Sequence, residues 1–192
     1  MTRAQVVDGW RIDVTVRPGV PRLLSGVAAA RVVAEALTAA GAPKPATLLV
    51  VLTDDAELAD LNATHLGHDG PTDVLSFPLL PPQAFPPHEG GPLTGGPLGG
   101  GVATPPSAAP FVLPPRSRIH LGDIAVSVER ARAQAEAGRG GQTGDVGWSP
   151  ADELRLLLTH GALHLCGWDH AEPVEEAAMR ALERRLLGDV PG

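Results

Sequence analysis

Three histidines fall within eleven residues near the C-terminus, in the run His160-Gly161-Ala162-Leu163-His164-Leu165-Cys166-Gly167-Trp168-Asp169-His170. No other feature constrains the fold as much. His160 and His164 stand four apart in LRLLLTHGALHL, a run with helical spacing, so their side chains share one face, a turn apart. Gly167 can take the left-handed conformation that ends a helix, and the reversed chain can return His170 as a third ligand. Upstream, Ser149 suits the helix cap, Pro150 the first helical position, and Asp152 and Glu153 the positive end of the helix dipole. Three neutral nitrogen donors and one open position describe a catalytic zinc site more closely than a closed structural one. The expectation is a single Zn2+ held by His160, His164 and His170.

The spacing equals that of the metzincin peptidase pattern H-E-x-x-H-x-x-G-x-x-H, with one difference. Gly161 stands where that pattern places the Glu general base. Without the carboxylate, water attack on a peptide bond lacks its usual proton acceptor, so a zinc peptidase is the weaker reading.

The remaining chain reads as strands and helices around one core. WRIDVTVR (10–17) alternates like a half-buried strand, and a helical run extends from Pro21 to Ala40. TLLVVLTDD (47–55) suits a central strand, with Asp54 or Asp55 capping the helix AELADLNATH. PTDVLSFP (71–78) and IHLGDIAVS (119–127) are further strands, and Ser127 is placed to cap a helix ending near Gly138. A last amphipathic helix follows Pro173 and stops at Gly188. Between the strands, residues 79–118 hold eleven prolines, with Glu89, Arg116 and Arg118 as the only charges. So few packing side chains cannot offset ordering entropy, and most of the stretch reads as a flexible Pro/Gly-rich insertion, not a second domain. The predicted order, β-α-β-α-β-insertion-β-α-α-α, gives an α+β class. It is a mixed β-sheet covered by helices, one domain over residues 1–192.

Composition narrows the function. A lone cysteine, Cys166, excludes a disulfide framework or a cysteine-rich zinc finger. The first residues lack a secretory pattern and no run approaches a membrane span, so the cytoplasm is the expected compartment. The net charge of −7, from 15 basic and 22 acidic residues, has the wrong sign for coating nucleic acid by bulk electrostatics. Any nucleic-acid chemistry must sit in a local cleft.

The run HGALHLCGWDH resembles the H-G-x-L-H-L-x-G-[YW]-D-H signature of the YbeY-type endoribonucleases, also called rRNA maturation factors. Two other segments agree with it: Leu61-Asn62 leading to Pro71-Thr72-Asp73-Val74-Leu75-Ser76-Phe77-Pro78, and Leu121-Gly122-Asp123-Ile124 with Ser127. The resemblance spans about residues 45–187. It implies a single α+β domain with one zinc on His160, His164 and His170. It also implies cleavage of single-stranded RNA, in 16S rRNA 3′-end maturation and ribosome quality control, with the small ribosomal subunit or its proteins as partners. One departure stands out: many relatives carry an Arg before the P-T-D-V-L-S-F segment, where Leu66 stands here. Such an Arg would contact a phosphate, so another Arg must substitute if the contact exists.

The general base is open among Asp73, Ser76, Asp123 and Asp169. Asp73 reads first as a turn or cap residue and only second as a catalytic one, and one of Ser76 and Phe77 faces the cleft by strand alternation. Asp123 suits either the metal's surroundings or a loop bond, and Asp169 is placed to orient a ligand imidazole. Cys166 reads as a small buried residue and Trp168 as packing under the metal loop. His65, His68, His88 and His120 lack partner spacing and read as solvated or loop residues, and Arg184-Arg185 as a solvated face. Besides the peptidase, the other alternative is a non-catalytic ribosome-assembly factor in which zinc only stabilises the fold.

Overall fold

The computed structural model describes residues 2–67, 70, 72–88, 117–138 and 147–188. The chain opens with a hairpin of β1 (Thr2–Val7) and β2 (Trp10–Val16), turned by Asp8 and Gly9, both at positive φ (48° and 96°). Two consecutive positive-φ residues match the right-handed twist of paired strands, and Asp-Gly is a favoured pair for that turn. β1 was not expected from the sequence. Its side chains are mostly exposed, so no buried alternation marks it.

From β2 the chain crosses through α1 (Gly26–Ala39) to β3 (Ala46–Thr53), parallel to β2. The helix starts five residues later than the sequence suggests, because the Ser25 side chain accepts from Ala28 N–H and fixes the cap there. Asp54, not Asp55, caps α2 (Asp55–Leu66), and Gly67 closes it in the left-handed conformation. β4 (Val74–Pro78) then forms one edge of the sheet, antiparallel to β5 (Ile119–Ser127), which runs parallel to β3. The order β1-β2-β3-β5-β4 gives a mixed five-stranded sheet. Ser127 caps α3 (Val128–Glu136), and α4 (Pro150–Leu165) and α5 (Pro173–Leu187) follow.

The main core lies on the sheet face covered by α1 and α4. Trp10, Ile12 and Val14 of β2, Leu48 and Val50 of β3 and Ile124 and Val126 of β5 meet the leucines of α4 there. A smaller cluster of Leu58, Leu75 and Ala125 packs under α2 on the opposite face. The α+β class and the helix-covered mixed sheet are therefore as expected. β5 carries one residue more than β3 between His120 and Asp123, a bulge centred on Gly122 at φ 138°. A Cβ at Gly122 would collide with the Phe77 carbonyl and sit 2.8 Å from Leu165 Cδ2. The glycine lets the end of α4 close on the sheet.

The stretch after β4 is not loose from its start, as residues 79–118 were expected to be. Leu79 N–H donates to the Leu121 carbonyl, Pro82–Ala84 form a 3₁₀ turn, and Phe85 is buried in the main core. Buried Phe85 supplies the packing that the proline count concealed. Residues 89–116, where most of the expected insertion falls, lie outside the described residues.

Candidate metal centre

α4 holds the first two histidines on the cleft side of the sheet. Ser149 and Asp152 form a capping box, and Pro150 opens the helix. Leu154, Leu157, Leu158 and Leu165 are buried, fixing the rotation of the helix. Gly161 sits where the helix meets the sheet: a Cβ there would lie 2.9 Å from both Ile124 Cγ2 and Val74 Cγ2. The Ser76 hydroxyl donates to its carbonyl at 2.9 Å. A Glu at this position would therefore drive into β4 and β5. That gives the departure from the peptidase pattern a steric reason.

Beyond α4, Gly167 at φ 82° reverses the chain and packs against Pro82. The three histidines converge as the spacing anticipates. Each offers one ring nitrogen, and these all lie within 4.8 Å of one another. His160 Nε2 and His164 Nε2 are 3.0 Å apart. Both Nδ1 atoms are engaged: His160 Nδ1 with Glu183 Oε1 at 2.7 Å, and His164 Nδ1 with the Trp168 carbonyl at 2.8 Å. Each acceptor calls for a proton on Nδ1, which turns the Nε2 lone pairs toward each other. Two lone pairs at that distance repel unless a cation lies between them. Burial, then the neighbouring His160 and His170, push the His164 pKa down to about 4, so this imidazole is neutral at ordinary pH. The donor set fits a metal ion that takes neutral imidazole nitrogens.

Two acidic residues of α5 were not anticipated. Glu183 is buried beside Met179 and Leu182, and a carboxylate inside that apolar stripe was the available signal. Glu175, also buried, accepts from Asp169 N–H at 3.2 Å and lies 3.4 Å from His88 Nε2. His88 is accordingly no solvated loop residue: it stacks on Trp168 with centroids 4.0 Å apart and planes 11° apart. Sequence spacing cannot reveal this contact, since eighty residues separate the two rings.

A cleft of about 700 Å³ adjoins the histidines, lined by Asn62, Thr72, Asp73, Ser76, Leu80 and Trp168 among others. Asp73 also lines a second recess with His160, His170, Arg180 and Glu183, and its Oδ2 accepts from Gln134. Ser76 faces the cleft, as strand alternation allows, while Phe77 joins the cluster under α2. Asp169 lines the cleft and its Oδ1 accepts from His170 backbone N–H at 2.7 Å, while Glu183 and the Trp168 carbonyl orient His160 and His164. Asp123 is not brought to the histidines. Past the Gly122 bulge it lies 2.9 Å from His120 Nε2 and lines neither recess.

Cys166 is buried, which pushes its thiol up to about 12 and leaves it a neutral packing residue. His120 also meets Thr47 at 2.9 Å, His65 packs edge-on against Phe77, and His68 lies outside the described residues. Arg184 and Arg185 are exposed. Arg180, bonded to Glu176 at 2.7 Å, brings a guanidinium to the recess beside His160 and His170.

Comparison with known proteins agrees with the three sequence segments. The Endoribonuclease YbeY of Roseiflexus castenholzii is 35% identical over 178 residues, 92% of this chain and 91% of that one. The Endoribonuclease YbeY of Salinispora tropica is 40% identical over 152 residues, 79% of each chain. That of Synechococcus sp. strain CC9605 is 41% identical over 136 residues, 71% of this chain and 61% of the relative. A solution structure of a Thermotoga maritima protein is similar at 18% identity and a TM-score of 0.47, covering 92% of this chain and 88% of that one. The sequence model described as Endoribonuclease YbeY matches residues 25–190, and with relatives this similar over most of their length the chain belongs to that family.

Proposed function

We propose that this protein is a zinc-dependent, single-strand-specific endoribonuclease that acts in 16S rRNA 3′-end maturation and ribosome quality control. It works in the cytoplasm on single-stranded RNA, 16S rRNA above all, with the small ribosomal subunit or its proteins as partners. The observation that carries the reading is the pair of facing Nε2 atoms, 3.0 Å apart, in an open cleft of a chain from this family. His160, His164 and His170 would hold one ion. Zinc, when bound, supplies polarisation of a phosphoryl oxygen and a bound water of lowered pKa.

The chain's own residues do the rest. Glu183 and the Trp168 carbonyl hold two imidazoles in the ligating tautomer. Of the four candidates, Asp73 would take the proton from the attacking hydroxyl or water, a reading supported by its bordering both recesses. Ser76 anchors β4 to α4 through the Gly161 carbonyl and acts through position, not as a base. Arg180, paired with Glu176, would supply a guanidinium for a phosphate contact from the recess beside His160 and His170.

The test is cleavage of an end-labelled single-stranded RNA by chelator-stripped protein, with and without added zinc, alongside His164→Ala. Zinc-restored cleavage, absent in a folded His164→Ala variant, is the expected result. A folded, zinc-loaded protein that leaves both free and ribosome-bound RNA intact would overturn the reading.

A further inference from the structure

We propose that Trp168, backed by His88, and the free edge of β4 together form a nucleobase subsite beside the histidines. This inference rests on the nuclease reading and says which part of the RNA the cleft grips.

Three observations carry it. Trp168 lines the main cleft, and its ring, half-buried against the main core, has a flat imidazole stacked parallel to it at 4.0 Å, so one aromatic layer is built and supported. Its backbone carbonyl holds His164 Nδ1, which fixes the indole within one residue's reach of the reacting centre. Leu80 and Pro82 continue the apolar lining beside it. Base–aromatic stacking needs such a platform and tolerates any base, because every base has a π-face.

The opposite wall offers hydrogen bonds. Ser127 N–H donates to the Asp73 carbonyl and Leu79 N–H to that of Leu121. In an antiparallel ladder these fix the alternation, so residues 73, 75, 77 and 79 bond inward to β5. The main-chain groups of Val74 and Ser76 then point outward, and β4 is an edge strand whose outer side borders the cleft. The Thr72 hydroxyl takes the Val74 carbonyl at 3.3 Å. Among the described residues nothing takes Val74 N–H or either main-chain group of Ser76, so these are left to meet the edge of a stacked base. Pro78, with no N–H, ends that row. Only an unpaired base has both a face for Trp168 and a free edge for β4. With a net charge of −7, the chain cannot rely on phosphate attraction alone, and base contact supplies the rest of the grip.

The experiment follows tryptophan emission of zinc-loaded protein titrated with a single-stranded 2′-deoxy oligonucleotide about eight residues long, or with an abasic chain of the same length. Trp168→Phe and Trp168→Leu keep the backbone carbonyl on His164; circular dichroism and zinc content establish that they stay folded and loaded. The base-bearing chain should quench the wild type, the abasic chain should not, and Trp168→Phe should lose the quench. Affinity of Trp168→Leu should fall roughly 5- to 150-fold. Equal quenching by both chains, or wild-type affinity in Trp168→Leu, would overturn the subsite. RNA cleavage is followed in parallel. Cleavage without base-dependent quenching sinks the subsite and spares the nuclease reading, while base-dependent quenching without cleavage does the reverse.

Discussion

Removing the Glu183 carboxylate is the sharpest perturbation of the centre that leaves every ligand in place. Its Oε1 lies 2.7 Å from His160 Nδ1, with the two side chains only 8% and 16% exposed, so water cannot substitute readily. Such an outer partner does two things: it holds the proton on Nδ1 and makes Nε2 a stronger donor. Glu183→Ala loses both and should weaken zinc binding about 10- to 100-fold, or roughly 1.4–2.7 kcal/mol. Glu183→Gln keeps an oxygen acceptor but no charge, so its loss should be smaller and the order wild type, Gln, Ala should hold. The assay is competition for zinc against a chromogenic chelator near pH 7.5, with urea denaturation of the metal-free proteins as a control for folding. Wild-type zinc affinity in both variants would refute the reasoning. So would a change confined to the stability of the metal-free protein.

The other expectations follow from the same geometry. Gly161→Ala pushes a methyl to 2.9 Å from Ile124 and Val74, and overpacking of that kind should cost about 1–3 kcal/mol in urea denaturation; unchanged stability would mean that α4 is free to shift. Asp73→Asn, as removal of a general base, should lower kcat about 10²- to 10⁴-fold at unchanged zinc content, and full activity would remove Asp73 from the chemistry. In the metal-free protein, His164 titrates near 4 when folded and near 6.5 when unfolded, so the unfolded chain binds the extra proton between those values. Stability should therefore be intact above about pH 6.5 and fall, by on the order of 3 kcal/mol, as pH drops toward 4. Denaturation of metal-free His164→Gln across that window should be flatter than that of the wild type. Zinc at about a hundred times its Kd should stabilise the protein by about 2.7 kcal/mol, and a chelator should reverse the shift in Tm.

The sequence by itself determined whatever depends on short separations. The i, i+4 histidine pair, the Ser149-Pro150 helix start and the Gly167 reversal are local, since backbone geometry alone relates residues a turn apart. The alternating strands around buried Ile12, Val50 and Ile124 were legible for the same reason. β1 escaped because an exposed edge strand has no buried face to imprint a pattern, although its Asp8-Gly9 turn was in view.

What only the tertiary structure decided are the contacts across long separations. Glu183 reaches His160 over 23 residues, His88 reaches Trp168 over 80 and Ser76 reaches Gly161 over 85. No periodicity encodes such pairs, because they depend on how α4, α5 and the strap after β4 dock on one another. The Gly122 bulge leaves Asp123 beside His120, outside both recesses, while the docking leaves Asp73, among the described residues, as the carboxylate bordering both. Sequence supplied the three histidines. Packing chose which acids, and which aromatic ring, stand beside them.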